Sequence, residues 1–425
     1  MPSNPFDHEL VSFAACVGID WADRQHALAM QVRDDAEVKH AILPQTPEAL
    51  EQWAMDLRQR FSGQPVAIAV ELNRGPLIHA LMKYPHLVIY PVPPARLANY
   101  RRAFVSSGAK DDPTDAVLIL DYLIKHGDQL RPWRPDDAQT RELAMLVEQR
   151  RGFVDQRTAL SNQLKAQLKD YFPQAMDYLG DDLTTRMAAD FLLKWPDLAS
   201  LKRAKDQTIR QFFYRHNVRR PERVEQRIKA IRQAVALTDD AAVLHVGIAV
   251  TQALAKMLRQ LAPIIDGFEK QIRKVFADHE DAHLFANLPG AGPALAPRLL
   301  VAFGSDRDRY EDATQVQSFV GIAPVTRRSG KQQSVHRRWA CPNFLRQSFH
   351  EFAQHSIRQS AWARAYYQLQ RDRGKGHNAA VRALAFKWIR VLFACWKSRT
   401  PYDEACYLAR VRERAAPLCR YLPAA

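Results

Sequence analysis

Four carboxylates and one serine stand where phosphodiester chemistry would use them. Asp20 closes the apolar run at residues 14–20 (AACVGID), and Glu71 closes a second at 65–71 (PVAIAVE). Asp112 and Asp115 lie at the head of a helical pattern, at a spacing that puts both on one helix face. Four carboxylates at one point would repel each other and raise one another's pKa. Bound Mg²⁺ relieves this, because it takes oxygen ligands and bridges to phosphate oxygens. Two such ions would activate the attacking oxygen of a phosphodiester reaction and stabilise the leaving one. Each acid also has a plainer reading as a solvated turn residue, or for Asp112 as a helix cap. Asp23, in the turn beyond the first run, is a weaker competitor. Ser329 sits in residues 324–330 (PVTRRSG). A serine beside guanidinium groups and a glycine can attack phosphorus if a base or metal takes its proton. A Ser-Gly pair is also an ordinary turn.

The surroundings of the serine suit a polyanion. Residues 313–350 contain no Asp or Glu, yet carry Arg327, Arg328, Lys331, Arg337, Arg338 and Arg346, with Trp339 among them. Basic groups beside an aromatic attract a phosphate backbone. Residues 288–293 (LPGAGP) read as a turn opening a helix. The backbone N–H groups of Gly290 and Gly292 would form a phosphate cradle there. The turn resembles the helix-hairpin-helix element that grips nucleic-acid backbones, and reads equally as a plain helix–helix turn.

These residues need a frame. Residues 14–20, 26–32 and 39–43 read as three strands of an antiparallel meander. A helix over 47–61, a strand over 65–71, a short helix over 76–82, a strand over 87–92 and a helix over 113–124 follow. This β-β-β-α-β-α-β-α order is that of a ribonuclease-H-like nuclease. Residues 136–172 and 221–276 then read as long amphipathic helices, the second breaking near 238–240 or at Pro263. They predict either an antiparallel coiled-coil arm or a helical bundle. Three parts are expected: an α/β nuclease domain over 1–130, a helical coiled-coil region over 131–285, and a mainly α domain over 286–425.

The 425 residues carry a net charge of +15, distributed as −4, +5 and +14 over those three parts. That bias favours a nucleic acid or an anionic surface as partner. The five cysteines are odd in number and show no CxxC spacing, which reads as reduced thiols in the cytoplasm. A signal peptide and an 18-residue apolar run are both missing, so no membrane span is expected.

Val17-Gly18-Ile19-Asp20, Glu71, residues 110–116 (KDDPTDA), the 288–293 turn, and Gly321-Ile322-Ala323-Pro324 followed by Ser329-Gly330 come in this order. Together they resemble the DEDD insertion-sequence transposases over nearly the whole chain. The resemblance implies a RuvC-like N-terminal domain, a coiled-coil region and a C-terminal transposase domain. It implies that Asp20, Glu71, Asp112 and Asp115 bind Mg²⁺, and that Ser329 is the nucleophile forming a covalent link to a DNA phosphate. It further implies a bridge RNA that chooses donor and target DNA. It also implies a homo-oligomer, dimer to tetramer, in which the acids of one subunit meet the serine of another. Two departures stand out. Leu72-Asn73-Arg74-Gly75 replaces the family's short Thr-Gly step, and one serine rather than two precedes Gly330, with Ser334 close enough to compete. A water-using metal nuclease and a non-catalytic nucleic-acid-binding protein remain open alternatives.

Overall fold

The computed structural model describes residues 7–8, 11–72, 74–104, 112–330, 332–414 and 417–422. The chain forms two compact units, 1–135 and 136–425.

The first unit is a mixed α/β layer. After a small ladder of β1 (Asp7–His8) and β2 (Val11–Ser12), the main strands are β3 (Ala15–Asp20), β4 (Gln25–Val32), β5 (Val38–Pro44), β6 (Val66–Val70) and β7 (Leu87–Pro91). The sheet order is β5-β4-β3-β6-β7. The meander β3-β4-β5 is antiparallel, and β6 and β7 add parallel to β3. The central strands are buried on both faces, as their continuous apolar runs require. The edge strand β5 is mostly exposed.

Helices α1 (Pro47–Arg60) and α2 (Pro76–Leu81) cover one face through Leu50, Leu57 and Leu77, against Val17, Ile19, Ile68 and Val70. The other face is built of small residues, Cys16, Ala27, Ala29, Ala67 and Ala69, and takes α4 (Asp112–His126). Gly18 brings α4 closest: a Cβ there would lie 2.3 Å from Ala116 O and 2.4 Å from Leu120 N. One helix was not expected, α3 (Pro94–Phe104). Only Leu97 of it is fully buried, with Tyr100 packed partly against the same core.

The second unit is helical. α5 (Ala138–Tyr171) and α11 (Ala241–Ala277) run antiparallel. Gln139 reaches the Val275 carbonyl near one end, Arg150 pairs with Glu269, and the Tyr171 hydroxyl donates to Thr251 Oγ1 near the other. The break before α11 falls at Asp240, whose carboxylate caps Ala242 and Val243. Pro263 stays inside the helix, on an exposed side where water can satisfy the carbonyl it leaves unpaired. By length and composition α11 could cross a membrane, with a mean hydropathy of 1.5 over 18 residues. Here its buried stripe, including Thr251, Leu254 and Leu258, packs within this unit.

Five helices lie between the long pair: α6 (Gln174–Leu179), α7 (Arg186–Lys194), α8 (Leu198–Arg203), α9 (Asp206–Arg215) and α10 (Pro221–Gln233). They share one core with Leu164, Leu168 and Leu254. The other ends of the pair join a second core through Leu143, Val147 and Ile272. That core is made by α12 (Ala282–Phe285), α13 (Gly292–Phe303), α14 (Ala313–Phe319), α15 (Asn343–Gln359), α16 (Ala361–Asp372), α17 (His377–Ser398) and α18 (Glu404–Glu413). Trp362, Trp388 and Trp396 are fully buried in it. Their indole N–H groups donate to Tyr402, Ser356 and the Gly304 carbonyl, so none is left unpaired. The acid-free basic stretch folds as α14, a hairpin of β8 (Val325–Ser329) and β9 (Gln332–His336), and the start of α15.

Candidate active site

Asp20 is the last residue of β3, and Glu71 follows β6 by one. The strands are parallel and Ile19 registers with Val70. The two acids therefore leave the same end of neighbouring strands. Strand alternation places them next after Gly18 and Ala69, on the face that α4 covers.

Asp112 opens α4, with Pro113 in its first turn; its side chain lies outside the described residues, as do Lys110 and Asp111. Asp115 is 2% exposed. Its Oδ1 lies 2.5 Å from Nη2 of Arg101 on α3. Its Oδ2 is buried without a hydrogen-bond partner, and so is Arg101 Nε. Arg101 was missed by sequence reading, because nothing local marks a partner fourteen positions away on an unannounced helix.

Among the described residues, no group of three or more His, Cys, Asp or Glu side chains is close enough to hold a metal ion. The donor set nevertheless fits a hard divalent cation: it offers carboxylate oxygens only, and the orphaned Asp115 Oδ2 is an acceptor that a cation would satisfy. Asp20, Glu71, Asp112 and Asp115 are the residues that would hold it.

The serine lies in the other unit. Ser329 ends β8 and pairs with Gln332 across the hairpin turn, where Gly330 takes φ +55°. Lys331, the other turn residue, lies outside the described residues. Of the ten strand residues only Val325 is even half-buried. A two-stranded hairpin alone is marginal in water, and this one leaves nearly all its side chains open to solvent. Register puts Ser329, Arg327, Gln332, Ser334 and His336 on one face, and Arg328 and Gln333 on the other. Of the two neighbouring arginines, Arg327 is the one that shares the Ser329 face. Ser334 Oγ lies 2.9 Å from His336 Nε2. Strand alternation would have revealed that pair, had the segment been read as a strand.

Beyond the hairpin, Arg337 stacks over the exposed Trp339 at 4.9 Å, and Arg338 is half-buried. In the 288–293 turn, Gly290 has φ +90° and packs on α15: a Cβ would lie 2.6 Å from Ser356 N. Its N–H donates to Gln359 Oε1 at 2.9 Å. Gly290 is therefore a packing residue whose N–H is already used. Gly292 heads α13 in open space, with no side-chain cap.

Comparison with known proteins now bears on these features. A family model described as a transposase, DEDD_Tnp_IS110, matches residues 17–173, and a model of the transposase IS116/IS110/IS902 family matches 282–368. The chain is 29% identical to a mini-circle putative transposase for IS117 from Streptomyces coelicolor, over 95% of this chain and 99% of the relative. It is 26% identical to the IS900 insertion-element 42 kDa protein of Mycobacterium paratuberculosis, over 91% and 97%. It is 25% identical to putative transposase y4uE of Sinorhizobium fredii, over 48% and 57%. An α/β unit with acids at one sheet edge, followed by a basic helical unit, is here the layout of a DNA-transposing enzyme. With both models matching in order over more than half of its length, the chain belongs to the IS110 family of DEDD insertion-sequence transposases.

Proposed function

We propose that this protein moves an insertion sequence by cutting and rejoining DNA through a serine ester, with a divalent cation, Mg²⁺, held by Asp20, Glu71, Asp112 and Asp115. The observation that carries the reading is the exposed Ser329 at the end of an acid-free, arginine-bearing strand, in a chain that holds both transposase segments. The sheet order β5-β4-β3-β6-β7, antiparallel meander first, supports a ribonuclease-H-like first unit. We keep the three-part division at 130 and 285 as part of this proposal.

In the reaction, Ser329 Oγ forms a bond to phosphorus and the P–O bond to the departing strand breaks. The serine proton is lost and the departing oxygen gains one, so charge and protons balance. Rejoining runs the same step backwards from a strand hydroxyl. When bound, the cation supplies Lewis-acid stabilisation of the phosphate oxygens and lowers the pKa of an oxygen it holds. Arg327 faces the same side as Ser329 and balances charge developing on phosphorus. One observation favours a second assignment within this reading. Ser334 already has a base at its hydroxyl in His336.

The family resemblance supports two further parts: a structured bridge RNA that selects donor and target DNA, and an oligomer of two to four chains. Sequencing RNA that copurifies with the protein, and mass measurement of the complex, test them.

The deciding experiment incubates labelled element-end DNA with protein and Mg²⁺ and looks for a covalent adduct on a denaturing gel. Ser329→Ala is expected to abolish the adduct while binding DNA normally, and Ser334→Ala to retain it. The reverse pattern assigns the nucleophile to Ser334. Cleavage by wild type with no adduct at any time transfers the reading to a water-using nuclease.

A further inference from the structure

A second basic feature lies apart from the serine face of the hairpin. It is a pocket of about 380 Å³ between the start of α15, the first turns of α17 and the segment after β9. Arg337, Arg346, Arg382, His350, Asn343 and Asn378 line it, over the buried Ile322. Among the described residues the lining holds no carboxylate, and none forms an ion pair with Arg337, Arg346 or Arg382. Arg346 is instead anchored by neutral acceptors, the Arg338 carbonyl at 3.1 Å and Asn343 Oδ1 at 2.5 Å.

Positive groups converging without a counter-charge repel one another. Burial lowers the Arg382 pKa, and Arg337 and Arg346 lower it further. Burial likewise lowers the His350 pKa; a hydrogen bond to the Asn378 backbone opposes this, and Arg382, His377 and Arg337 add to the lowering. The pocket also meets the N-terminus of the 22-residue α17, whose N-cap, Gly376, supplies no side-chain acceptor. Uncapped N–H groups and the positive helix end add to the attraction for an anion.

We propose that this pocket binds one phosphate of a single nucleic-acid strand, with the adjoining base stacked on Trp339. The volume sits at the low end of small-molecule sites, about 300–1,000 Å³, which suits one nucleotide and excludes a duplex. Arg337 links the two parts, since it both lines the pocket and lies over the Trp339 ring. Trp339 is 75% exposed, the presentation that stacking of unpaired bases uses. The proposal does not depend on which serine is the nucleophile, and the adduct experiment leaves it untouched.

The test measures fluorescence anisotropy of short labelled deoxythymidine and uridine oligomers, and of a blunt duplex, over a range of salt. Arg382→Gln and Arg337→Gln are each expected to weaken single-strand binding about tenfold. Each should flatten the salt slope by about 0.7, the loss of one phosphate contact on a single strand. Trp339→Ala should weaken single-strand binding at least fivefold, the scale of one lost base stack. Duplex affinity should stay within twofold in all three. A loss confined to the deoxy oligomer assigns the pocket to DNA, one confined to the uridine oligomer assigns it to RNA, and a loss on both supports a shared site. Unchanged single-strand affinity, or an equal loss on duplex, overturns the proposal. Arg337 is exposed and clear of the core, so Arg337→Gln decides the matter if Arg382→Gln unfolds.

Discussion

Arg101 Nη2 and Asp115 Oδ1 lie 2.5 Å apart, the acid 3% and the arginine 27% exposed at the side chain. The arginine therefore supplies a counter-charge for a carboxylate whose other oxygen has no hydrogen-bond partner. Replacing Arg101 by Gln should cost about 3 kcal/mol, because it strands a buried charge. Mg²⁺ should restore more stability to that variant than it adds to wild type. Urea melts with and without Mg²⁺ measure this. Equal shifts in the two proteins would remove Asp115 from the metal ligands.

Two glycines should respond in opposite directions. Gly18→Ala forces a Cβ into the α4 backbone and should cost about 3 kcal/mol or more, the upper range for overpacking. Gly152, exposed in the middle of α5, has open space where a Cβ would go. Gly152→Ala should add about 1 kcal/mol through helix propensity. Denaturation midpoints of the two variants test the pair; a stable Gly18→Ala protein would mean that α4 can lift from the sheet.

Asp137 caps α5 by accepting from the backbone N–H of Thr140 at 2.8 Å and from its hydroxyl at 2.7 Å. Burial pushes the carboxyl up, but hydrogen bonds involving Ser305 and Thr140 outweigh it and hold the pKa at about 2. The folded value lies below the unfolded one, about 3.9. The stabilisation is therefore complete above pH 4 and drains away as pH falls towards 2. Asp137→Ala should cost about 1 kcal/mol at neutral pH, and the gap should shrink at pH 3. Because Asp137 is exposed, solvent screening keeps the effect near that of an ordinary cap. A gap that widens in acid contradicts this.

Arg327 and Arg328 point to opposite faces of the hairpin. Replacing either by Ala should weaken duplex binding at all sequences and flatten the salt slope by about one. Only Arg327→Ala should also slow adduct formation at saturating DNA, by about tenfold, since it shares the Ser329 face. Single-turnover kinetics separate the two effects. Equal rates for the two variants would exclude a role for Arg327 beyond binding.

The elements that local pattern specifies are legible in the amino-acid order. The apolar runs ending at Asp20 and at Glu71 read as strands, because alternation and burial act over a few residues. The helix opening beside Pro113 reads as well, since proline suits a first turn. The charge gradient and the acid-free stretch around Ser329 are properties of composition alone. What only the tertiary structure decided depends on contacts between distant residues. The parallel pairing of β3 with β6 brings Asp20 and Glu71 to one edge. Arg101 reaches Asp115 from a helix with one buried residue. Gly290 serves packing because α15 lies against it, and Arg346 meets Arg382 only because α15 and α17 pack side by side. Periodicity encodes which face of an element is apolar; it carries nothing about which other element covers that face.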